Sequence, residues 1–315
     1  RDRSPSRGLG DVYKRQVLLA VICLASCGVN GNSGSKLQNP PKHVILIGFD
    51  GLSSYCINNG ANMPVFRKLM AEGASTVENR SVLPSSSAVN WASMFMGAGP
   101  EIHGYTEWGS RTPELPSRVL TENGKFPDIY YQLRKKMPEA ELGFIYEWEG
   151  MRYLVDTLSV NYITAAGLSS ADTQSAVAST VDYIKTKKPA FCSVIFAEPD
   201  GAGHTHGWES EQYFTTVTHL DKALGEIVKA VEEAGMMDET VIVLAADHGG
   251  INTGHGGKTM KEMQTTIVLY GKGIKKGYKI PECTMVYDIA STIGYMFGIE
   301  QPQVWIGRPV TSVFE

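Results

Sequence analysis

Short apolar runs alternate with longer amphipathic segments from His43 to the end of the chain. Continuous runs of Val, Ile, Leu and Phe are typical of strands buried on both faces of a sheet, whereas the longer segments favour helices. The pattern therefore predicts an α/β fold with a mostly parallel sheet covered by helices. The predicted strands are His43 to Phe49, Leu142 to Tyr146, Phe191 to Ala197, Val241 to Ala246 and Thr266 to Tyr270.

Three of the amphipathic segments are followed closely by Gly or Pro, which are ordinary helix stop signals. The predicted helices are Pro64 to Glu72, Pro127 to Lys136 and Glu209 to Ala234. No internal repeat divides the region, so we expect a single catalytic domain over 42–315.

The first 41 residues differ from this pattern and are predicted to form a leader. Residues 1–16 have few apolar positions and are interpreted as an assembly scar. Val17 to Ala25 has the length of a signal-peptide core and is too short to span a bilayer. The tetrapeptide ending at Cys27 resembles the bacterial lipoprotein processing site, where the cysteine is lipidated, and an ordinary secretory signal is the alternative. Either leader exports the protein to the cell envelope, with residues 28–41 as a flexible tether.

Composition excludes two classes of function. The net charge of -4 and the absence of a concentrated basic segment argue against a nucleic-acid partner. The three cysteines beyond the leader have no paired spacing, so neither a disulfide framework nor a cysteine zinc site is expected. Nothing in the sequence specifies an oligomeric state.

Acidic residues and histidines follow three of the predicted strands. Asp50 follows the first strand, Asp200 the third and Asp247 the fourth, with His248 next to Asp247. A single aspartate at a strand end is more often a cap or a turn former. Because ligands bind beyond the carboxyl ends of parallel strands, several such residues are expected to meet at one edge of the sheet.

Glycine-rich segments supply the other candidate ligands. In the segment Asp200-Gly-Ala-Gly-His204 a carboxylate and an imidazole are four residues apart, and the glycines predict a tight loop. His255 lies in the glycine-rich segment after the fourth strand. Carboxylates and neutral imidazoles are typical zinc ligands, and with Asp50 the set is sufficient for two ions with positions left open for substrate.

The four other histidines have no partner at ligand spacing and are expected to be structural. They are His43, His103, His206 and His219. For His206 two alternatives remain: it replaces His204 as a metal ligand, or it contacts a ligand without binding the ion.

The order of these motifs resembles the alkaline phosphatase superfamily, and most closely its type I phosphodiesterase and nucleotide pyrophosphatase branch. The resemblance spans about Lys42 to Pro309 and rests on Asp-Gly at Asp50, Asp-x-x-x-His-x-x-Gly from Asp200, Asp-His-Gly from Asp247 and Gly-His-Gly around His255. It implies a three-layer α/β/α sandwich and a metal-dependent hydrolase of phosphate esters, with a small phosphate ester or nucleotide as substrate.

The resemblance also assigns a nucleophile. Ser87 lies three residues before Asn90 and ahead of a Pro-Glu-Ile-His-Gly segment, as in the family's Thr/Ser motif followed by Pro-Glu-Ser-His-Gly. Ser85 and Ser86 are alternatives through a shift of register, and a plain helix cap is the alternative for all three. A helix N-terminus favours a bound phosphate, and Asn90 is expected to donate a hydrogen bond to a non-bridging oxygen.

By the same resemblance the ligands divide between two zinc ions. One ion is assigned to Asp200, His204 and His255, and the other to Asp50, Asp247 and His248 with Ser87 as an inner ligand. The implied reaction proceeds through a phosphoseryl intermediate that water then hydrolyses.

Departures from the family pattern bear on the substrate. Uncharged Ala88 and Val89 follow Ser87 where the family's phosphomonoesterases carry a basic residue, which favours a diester or pyrophosphate. Only six residues separate His248 from His255, where nucleotide pyrophosphatases usually have a long insertion, so a more open site is expected.

Several alternatives remain open. Trp148 is interpreted either as a stacking surface for a substrate group or as a buried aromatic at a strand end. A phosphomonoesterase or a phosphonate hydrolase would use the same site, and a noncatalytic surface lipoprotein would keep only the fold. A sulfatase is not expected, because the sequence lacks a Cys/Ser-x-Pro-x-Arg segment.

Overall fold

The computed structural model describes residues 37–167 and 173–315, which are built around one sheet of eight strands. Cys27 and the predicted signal segment lie outside the described residues. The strands are β1 (His43–Asp50), β2 (Ala74–Arg80), β3 (Leu142–Tyr146), β4 (Tyr162–Ala165), β5 (Phe191–Pro199), β6 (Thr240–Ala246), β7 (Gln264–Gly271) and β8 (Tyr278–Lys279).

The sheet has the order β4-β3-β5-β1-β6-β7-β2-β8. β1 pairs in parallel with β5 on one side and with β6 on the other, and β3 and β4 extend the parallel part beyond β5. β7 runs antiparallel to both β6 and β2. The predicted mostly parallel sheet is confirmed, and β7 is the strand that departs from it.

Helices cover both faces of the sheet. In the described part of the chain they are α1 (Ser54–Asn58), α2 (Pro64–Glu72), α3 (Ser87–Met96), α4 (Pro100–His103), α5 (Ile129–Lys136), α6 (Thr173–Lys187), α7 (Asp200–His206), α8 (Glu211–Glu233), α9 (Met260–Met263) and α10 (Asp288–Met296). None of these helices combines the length and the apolar character that a membrane span requires.

Alternate side chains of β1 enter different apolar layers. Val44 and Leu46 pack with residues of α3, α5 and α10, whereas Ile45 and Ile47 pack with residues of α2, α6 and α8. Because both faces of the strand are buried, its sequence is a continuous apolar run. This packing confirms the three-layer α/β/α sandwich.

The main differences from the sequence predictions lie at capped helix ends and in short or polar strands. α8 begins at Glu211 because the Ser210 side chain caps it by accepting the Tyr213 N–H. α5 likewise begins after Asp128, whose carboxylate accepts the Tyr131 N–H. β2 and β4 were not predicted, since β2 is largely polar and β4 has four residues.

Candidate metal centre and nucleophile

The candidate ligands meet at one edge of the sheet because they follow three neighbouring strands. Asp50 ends β1, Asp200 comes directly after β5 and Asp247 directly after β6. β1 lies between β5 and β6, so the three carboxylates are brought side by side at the middle of the sheet. The expected convergence is therefore observed.

Six side chains form two groups of three, each with ligand atoms within 4.8 Å of one another. The inner cluster is Asp50, Asp247 and His248, all buried, and the outer cluster is Asp200, His204 and His255, which is partly exposed. This grouping is the same as the division that the family resemblance implies.

Hydrogen-bond donors fix the two carboxylates of the inner cluster. Asp50 Oδ2 accepts the Trp91 indole N–H at 2.9 Å, and Asp247 Oδ1 accepts the backbone N–H groups of Gly51 at 3.1 Å and His248 at 2.8 Å. Asp247 Oδ2 is buried and has no hydrogen-bond partner among the described residues. A buried, unpaired carboxylate oxygen beside another acid fits a cation ligand.

All three histidines present the same nitrogen to the centre of the site. In each of them Nδ1 contacts a backbone carbonyl, at 2.8 Å in His248 to Gly249, 2.9 Å in His204 to Thr253 and 3.0 Å in His255 to Ser85. A carbonyl oxygen only accepts, so each Nδ1 carries a proton, and Nε2 is then the nitrogen that has the lone pair in the neutral imidazole. This arrangement is typical of histidines that ligate metal through Nε2.

The inward lone pairs face other acceptors. His204 Nε2 lies 3.1 Å from His255 Nε2, and Asp200 oxygens lie 3.4 Å and 3.6 Å from these two nitrogens. In the inner cluster His248 Nε2 lies 3.3 Å from Asp247 and 3.5 Å from Asp50. Acceptors that converge without a donor between them repel one another, and a divalent cation relieves that repulsion.

Burial sets the charge preferences of the site. Desolvation raises the pKa of Asp50 and of Asp247 well above the usual range, with neighbouring carboxylates adding to the effect. It also raises the pKa of Asp200 to about 7. Desolvation lowers the pKa of His248 well below its ordinary value, which keeps this imidazole neutral as metal ligation requires.

The predicted loop at Asp200 is wrong, because α7 begins there. Asp200 and His204 are four residues apart on a helix and share one face of it. Gly203 is needed for packing rather than for a loop, since a Cβ on this residue would lie 2.7 Å from the Trp208 ring. The helix therefore brings carboxylate and imidazole together as the loop was expected to do.

Ser87 is the first residue of α3 and contacts the inner cluster. Its Oγ lies 3.3 Å from Asp50 Oδ1 and 3.1 Å from His248 Nε2. The Ser85 hydroxyl instead donates to a loop carbonyl at 2.6 Å, and the Ser86 hydroxyl is buried without a partner among the described residues. Of the three serines considered, Ser87 is thus the one whose contacts suit a nucleophile.

The Asn90 side chain contacts the backbone of the turn before Ser87. The buried amide accepts the Val82 N–H at 2.7 Å and donates to the carbonyls of Val82, Pro84 and Ser86 at 3.3, 3.1 and 3.0 Å. These contacts use both ends of the amide, and the predicted hydrogen bond to a phosphate oxygen stays a prediction. Asn90 clamps the turn that leads to Ser87.

Trp91 was missed by the sequence analysis, although it orients a ligand. Its indole lies between α3 and β1 and donates to Asp50. The available signal was its position four residues after Ser87, which places both side chains on one face of the helix.

Other candidates lie away from the two clusters. Trp148 follows the end of β3, is partly buried and packs against one apolar layer, so its role as a substrate contact stays a prediction. His103 is buried against the Ser93 hydroxyl at 2.9 Å, and burial lowers its pKa to about 3. His206 and His219 are exposed, and His43 contacts the Pro189 carbonyl at 2.8 Å.

Comparison with known sequences places these residues in a family context. The profile of the type I phosphodiesterase / nucleotide pyrophosphatase family matches residues 44–267. Ectonucleotide pyrophosphatase/phosphodiesterase family member 1 of Mus musculus is 23% identical over 225 residues, which cover 68% of this chain and 24% of the relative. A bis(5'-adenosyl)-triphosphatase of Pongo abelii is 22% identical over 240 residues, covering 73% and 52%. The chain thus spans about a quarter to a half of the length of these relatives.

Solved structures share the fold. An inactive variant of murine ectonucleotide pyrophosphatase/phosphodiesterase 5 in complex with AMP aligns with a TM-score of 0.68 at 13% identity, over 87% of this chain and 100% of the other. The phosphonate monoester hydrolase of Silicibacter pomeroyi aligns with a TM-score of 0.64 at 17% identity, over 86% and 76%. These likenesses confirm the predicted alkaline-phosphatase-like architecture.

Proposed function

Because the chain belongs to the type I phosphodiesterase / nucleotide pyrophosphatase family, we propose that it is a two-zinc hydrolase of phosphodiesters or nucleotide pyrophosphates. One observation carries this proposal: the carboxylate oxygens and imidazole nitrogens of the two clusters converge, and the inner cluster contacts the hydroxyl of Ser87. Such a lining binds cations and activates an adjacent hydroxyl.

The two clusters would each hold one ion. Asp50, Asp247 and His248 with Ser87 suit one, and Asp200, His204 and His255 suit the other, since each set combines carboxylate oxygens with neutral imidazole nitrogens. When bound, the ions would supply Lewis acidity, which lowers the pKa of a hydroxyl or water and stabilises negative charge on a departing oxygen.

The chain's own residues prepare Ser87 for attack. Asp50 Oδ1 accepts the Ser87 hydroxyl at 3.3 Å, and His248 Nε2 lies 3.1 Å from the same hydroxyl oxygen, so the inner ligands hold Ser87 Oγ where an ion bound to them would polarise it. The bond from Oγ to phosphorus forms as the bond from phosphorus to the leaving oxygen breaks. Water then attacks phosphorus and releases the serine oxygen, which restores the hydroxyl.

The N-terminus of α3 suits the phosphate that this chemistry places on Ser87. N–H groups in the first turn of a helix have no partner within the helix, and the helix dipole favours an anion there. Within the described residues neither cluster forms an ion pair with lysine or arginine, so a singly charged diester is a better match than a dianionic monoester. The bound AMP of the murine neighbour supports a nucleotide ester as one substrate class.

Metal analysis combined with a substrate panel tests the proposal. Purified protein should contain about two equivalents of zinc and hydrolyse bis-p-nitrophenyl phosphate faster than p-nitrophenyl phosphate or p-nitrophenyl phenylphosphonate. Ser87→Ala should abolish turnover, whereas Ser85→Ala should retain most of it. Protein without bound zinc and without turnover would instead support the noncatalytic alternative, and a preference for the monoester or the phosphonate would overturn the substrate assignment alone.

Export to the cell envelope forms a separate part of the proposal. It is supported by the apolar segment before Cys27 and by the ectoenzyme names of the relatives. If Cys27 carries a lipid anchor, Cys27→Ser will move the protein from the membrane fraction to the soluble fraction. A protein that stays in the soluble fraction with Cys27 intact would favour the ordinary secretory signal.

A further inference from the structure

Glu262 is a buried acid that belongs to neither cluster and lies in α9, seven residues after His255. The residue is 6% exposed. Its Oε1 accepts the Gly257 N–H at 2.8 Å, and its Oε2 accepts the N–H and the hydroxyl of Thr259 at 3.1 and 2.6 Å. Desolvation acts to raise the pKa of Glu262, but the hydrogen bonds from Thr259 and Gly257 outweigh it and hold this pKa below its ordinary value. An ionised carboxylate therefore holds three donors of the segment 257–259.

The segment that this carboxylate holds begins two residues after His255. Three of the four residues at 254–257 are glycines, and such a backbone has many accessible conformations unless contacts restrict it. The His255 ring is oriented by the contact of its Nδ1 with the Ser85 carbonyl at 3.0 Å, which requires the backbone around His255 to stay in place. Hydrogen bonds to a charged acceptor are stronger than neutral ones. The Glu262 carboxylate is thus suited to fix the backbone from which His255 reaches the outer cluster.

The backbone of Glu262 contacts the inner cluster instead. Its carbonyl accepts the Gly249 N–H at 2.7 Å, and the Gly249 carbonyl lies 2.8 Å from Nδ1 of His248. This main-chain bond does not depend on the side chain at position 262. A substitution of the side chain should therefore loosen the segment after His255 and leave the support of His248 intact.

We propose that Glu262 is a positioning residue for the outer zinc ion, whose carboxylate fixes the segment 257–259 and thereby holds the His255 ring in the outer cluster. The inference rests on the proposed function and adds to it a residue that acts through a ligand. Removal of a group that supports a metal-bound histidine typically lowers metal affinity about 10-fold to 100-fold.

Zinc titration of Glu262→Gln and of the wild-type protein tests this role. The Gln side chain has nearly the shape of Glu, but it is neutral and turns an amide N–H towards donors that the carboxylate accepts. The affinity of the outer cluster for zinc should fall about 10-fold to 100-fold, while the inner cluster keeps its ion. Competition with a chromophoric chelator measures the two affinities.

Thr259→Ala is the matched control, because Thr259 and Glu262 form one capping box at the start of α9. The variant removes the side-chain cap and leaves the bond from Gly257 to Glu262 in place. It should lower the midpoint of urea unfolding as Glu262→Gln does, but keep the zinc affinity of the outer cluster close to that of the wild type. Equal losses of zinc affinity in the two variants, loss of both ions from Glu262→Gln, or unchanged affinity in Glu262→Gln would overturn the inference.

The metal-free protein separates failure of this inference from failure of the proposed function. A wild-type protein that binds no zinc would overturn the proposed function, and NMR of the histidine side chains then still tests the role of Glu262. The His255 Nδ1–H resonance, assigned by its absence in His255→Gln, should exchange slowly with solvent in the wild type and in Thr259→Ala, and rapidly in Glu262→Gln. Slow exchange that persists in Glu262→Gln, or rapid exchange already in the wild type, would contradict the inference.

Discussion

The inner and outer clusters contain the same kinds of side chain in very different surroundings. The His248 side chain of the inner cluster is 0% exposed, whereas the His204 side chain of the outer cluster is 46% exposed. Both inner carboxylates accept indole or backbone N–H groups through one oxygen, whereas Asp200 Oδ1, like Asp247 Oδ2, has no hydrogen-bond partner among the described residues. One half of the site is therefore fixed and dry, and the other half opens to solvent.

This difference suggests a division of labour. Ser87 contacts the inner cluster, where fixed donors preserve the geometry of the nucleophile without reorganisation. The outer cluster is the partly exposed part of the site, so we expect water and the leaving group to exchange with solvent there. We therefore expect the inner cluster to control the chemical step and the outer cluster to be more tolerant of change.

The largest effect is expected from loss of the Asp50 carboxylate. Asp50→Ala removes both a candidate ligand and a hydrogen-bond partner of Ser87, and kcat/KM should fall by at least about 1,000-fold. Trp91→Phe keeps the carboxylate but removes the donor that orients it, so a loss of about 10-fold to 100-fold is expected. Equal activity of Trp91→Phe and wild type would show that the hydrogen bond from Trp91 to Asp50 does not matter for catalysis.

The next largest effect is expected in zinc retention, which should differ between the two clusters. His204→Ala removes an exposed ligand and should leave about one equivalent of zinc, bound in the inner cluster. In the wild-type protein a chelator should remove zinc in two phases, the faster one from the outer cluster, because ligand exchange there is open to solvent. Metal analysis measures the zinc content of His204→Ala, and its repetition during chelation follows the two phases in the wild-type protein. Simultaneous loss of all zinc from His204→Ala would contradict the independence of the two clusters.

A smaller effect is expected from the clamp formed by Asn90. Asn90→Ala leaves the Val82 N–H and nearby carbonyls without their partner, which costs about 1 to 3 kcal/mol in the free energy of unfolding. The loosened turn displaces Ser87 rather than the substrate, so kcat should fall about 10-fold to 100-fold while KM changes little.

Ser93→Ala is the matched control for this clamp. Ser93 lies on the same helix and is buried, but its hydroxyl contacts Val89 and His103 rather than the turn before Ser87. It should lower stability without a comparable loss of kcat. A rise in KM with unchanged kcat in Asn90→Ala would favour the original assignment of this amide to substrate binding.

The sequence predicted the architecture and the convergence of ligands because both follow from simple patterns. Strands buried on both faces are continuous apolar runs, and parallel strands put their carboxyl ends at one edge. The same patterns do not specify where a side-chain amide or indole will bond. The backbone contacts of Asn90 and the hydrogen bond from Trp91 to Asp50 were therefore not predicted.

Polar and glycine-rich segments were the least predictable parts of the fold. β2 has little apolar content and is recognisable only from its pairing with β7 and β8. α7 contains two glycines that normally disfavour a helix, and tertiary contacts such as the approach of Trp208 to Gly203 favour it instead. Local sequence carries no signal for contacts of this kind.

The smallest effect on activity is expected from Asp128, a buried carboxylate remote from both clusters. It accepts the Tyr131 N–H at 2.8 Å, and burial raises its pKa to about 7. Because the folded form holds its proton more tightly than the unfolded chain, its contribution to stability is full below pH of about 4 and is lost as the pH rises to about 7. Asp128→Asn keeps the acceptor for the Tyr131 N–H but turns an amide N–H towards the Asp156 N–H, so it should lower stability at every pH while it removes a pH dependence of up to about 4 kcal/mol.

Urea unfolding at pH 5 and pH 7.5, with and without zinc, compares the pH dependence of stability that Asp128 causes with the part that the inner cluster causes. Burial also raises the pKa of Asp50 and Asp247, so the metal-free protein should lose further stability over this range. Zinc should suppress that further loss, because a cation favours the ionised carboxylates, and it should leave the part due to Asp128 unchanged. If zinc removed no pH dependence beyond that of Asp128→Asn, the inner cluster would be a buried polar group of the ordinary kind rather than a metal site.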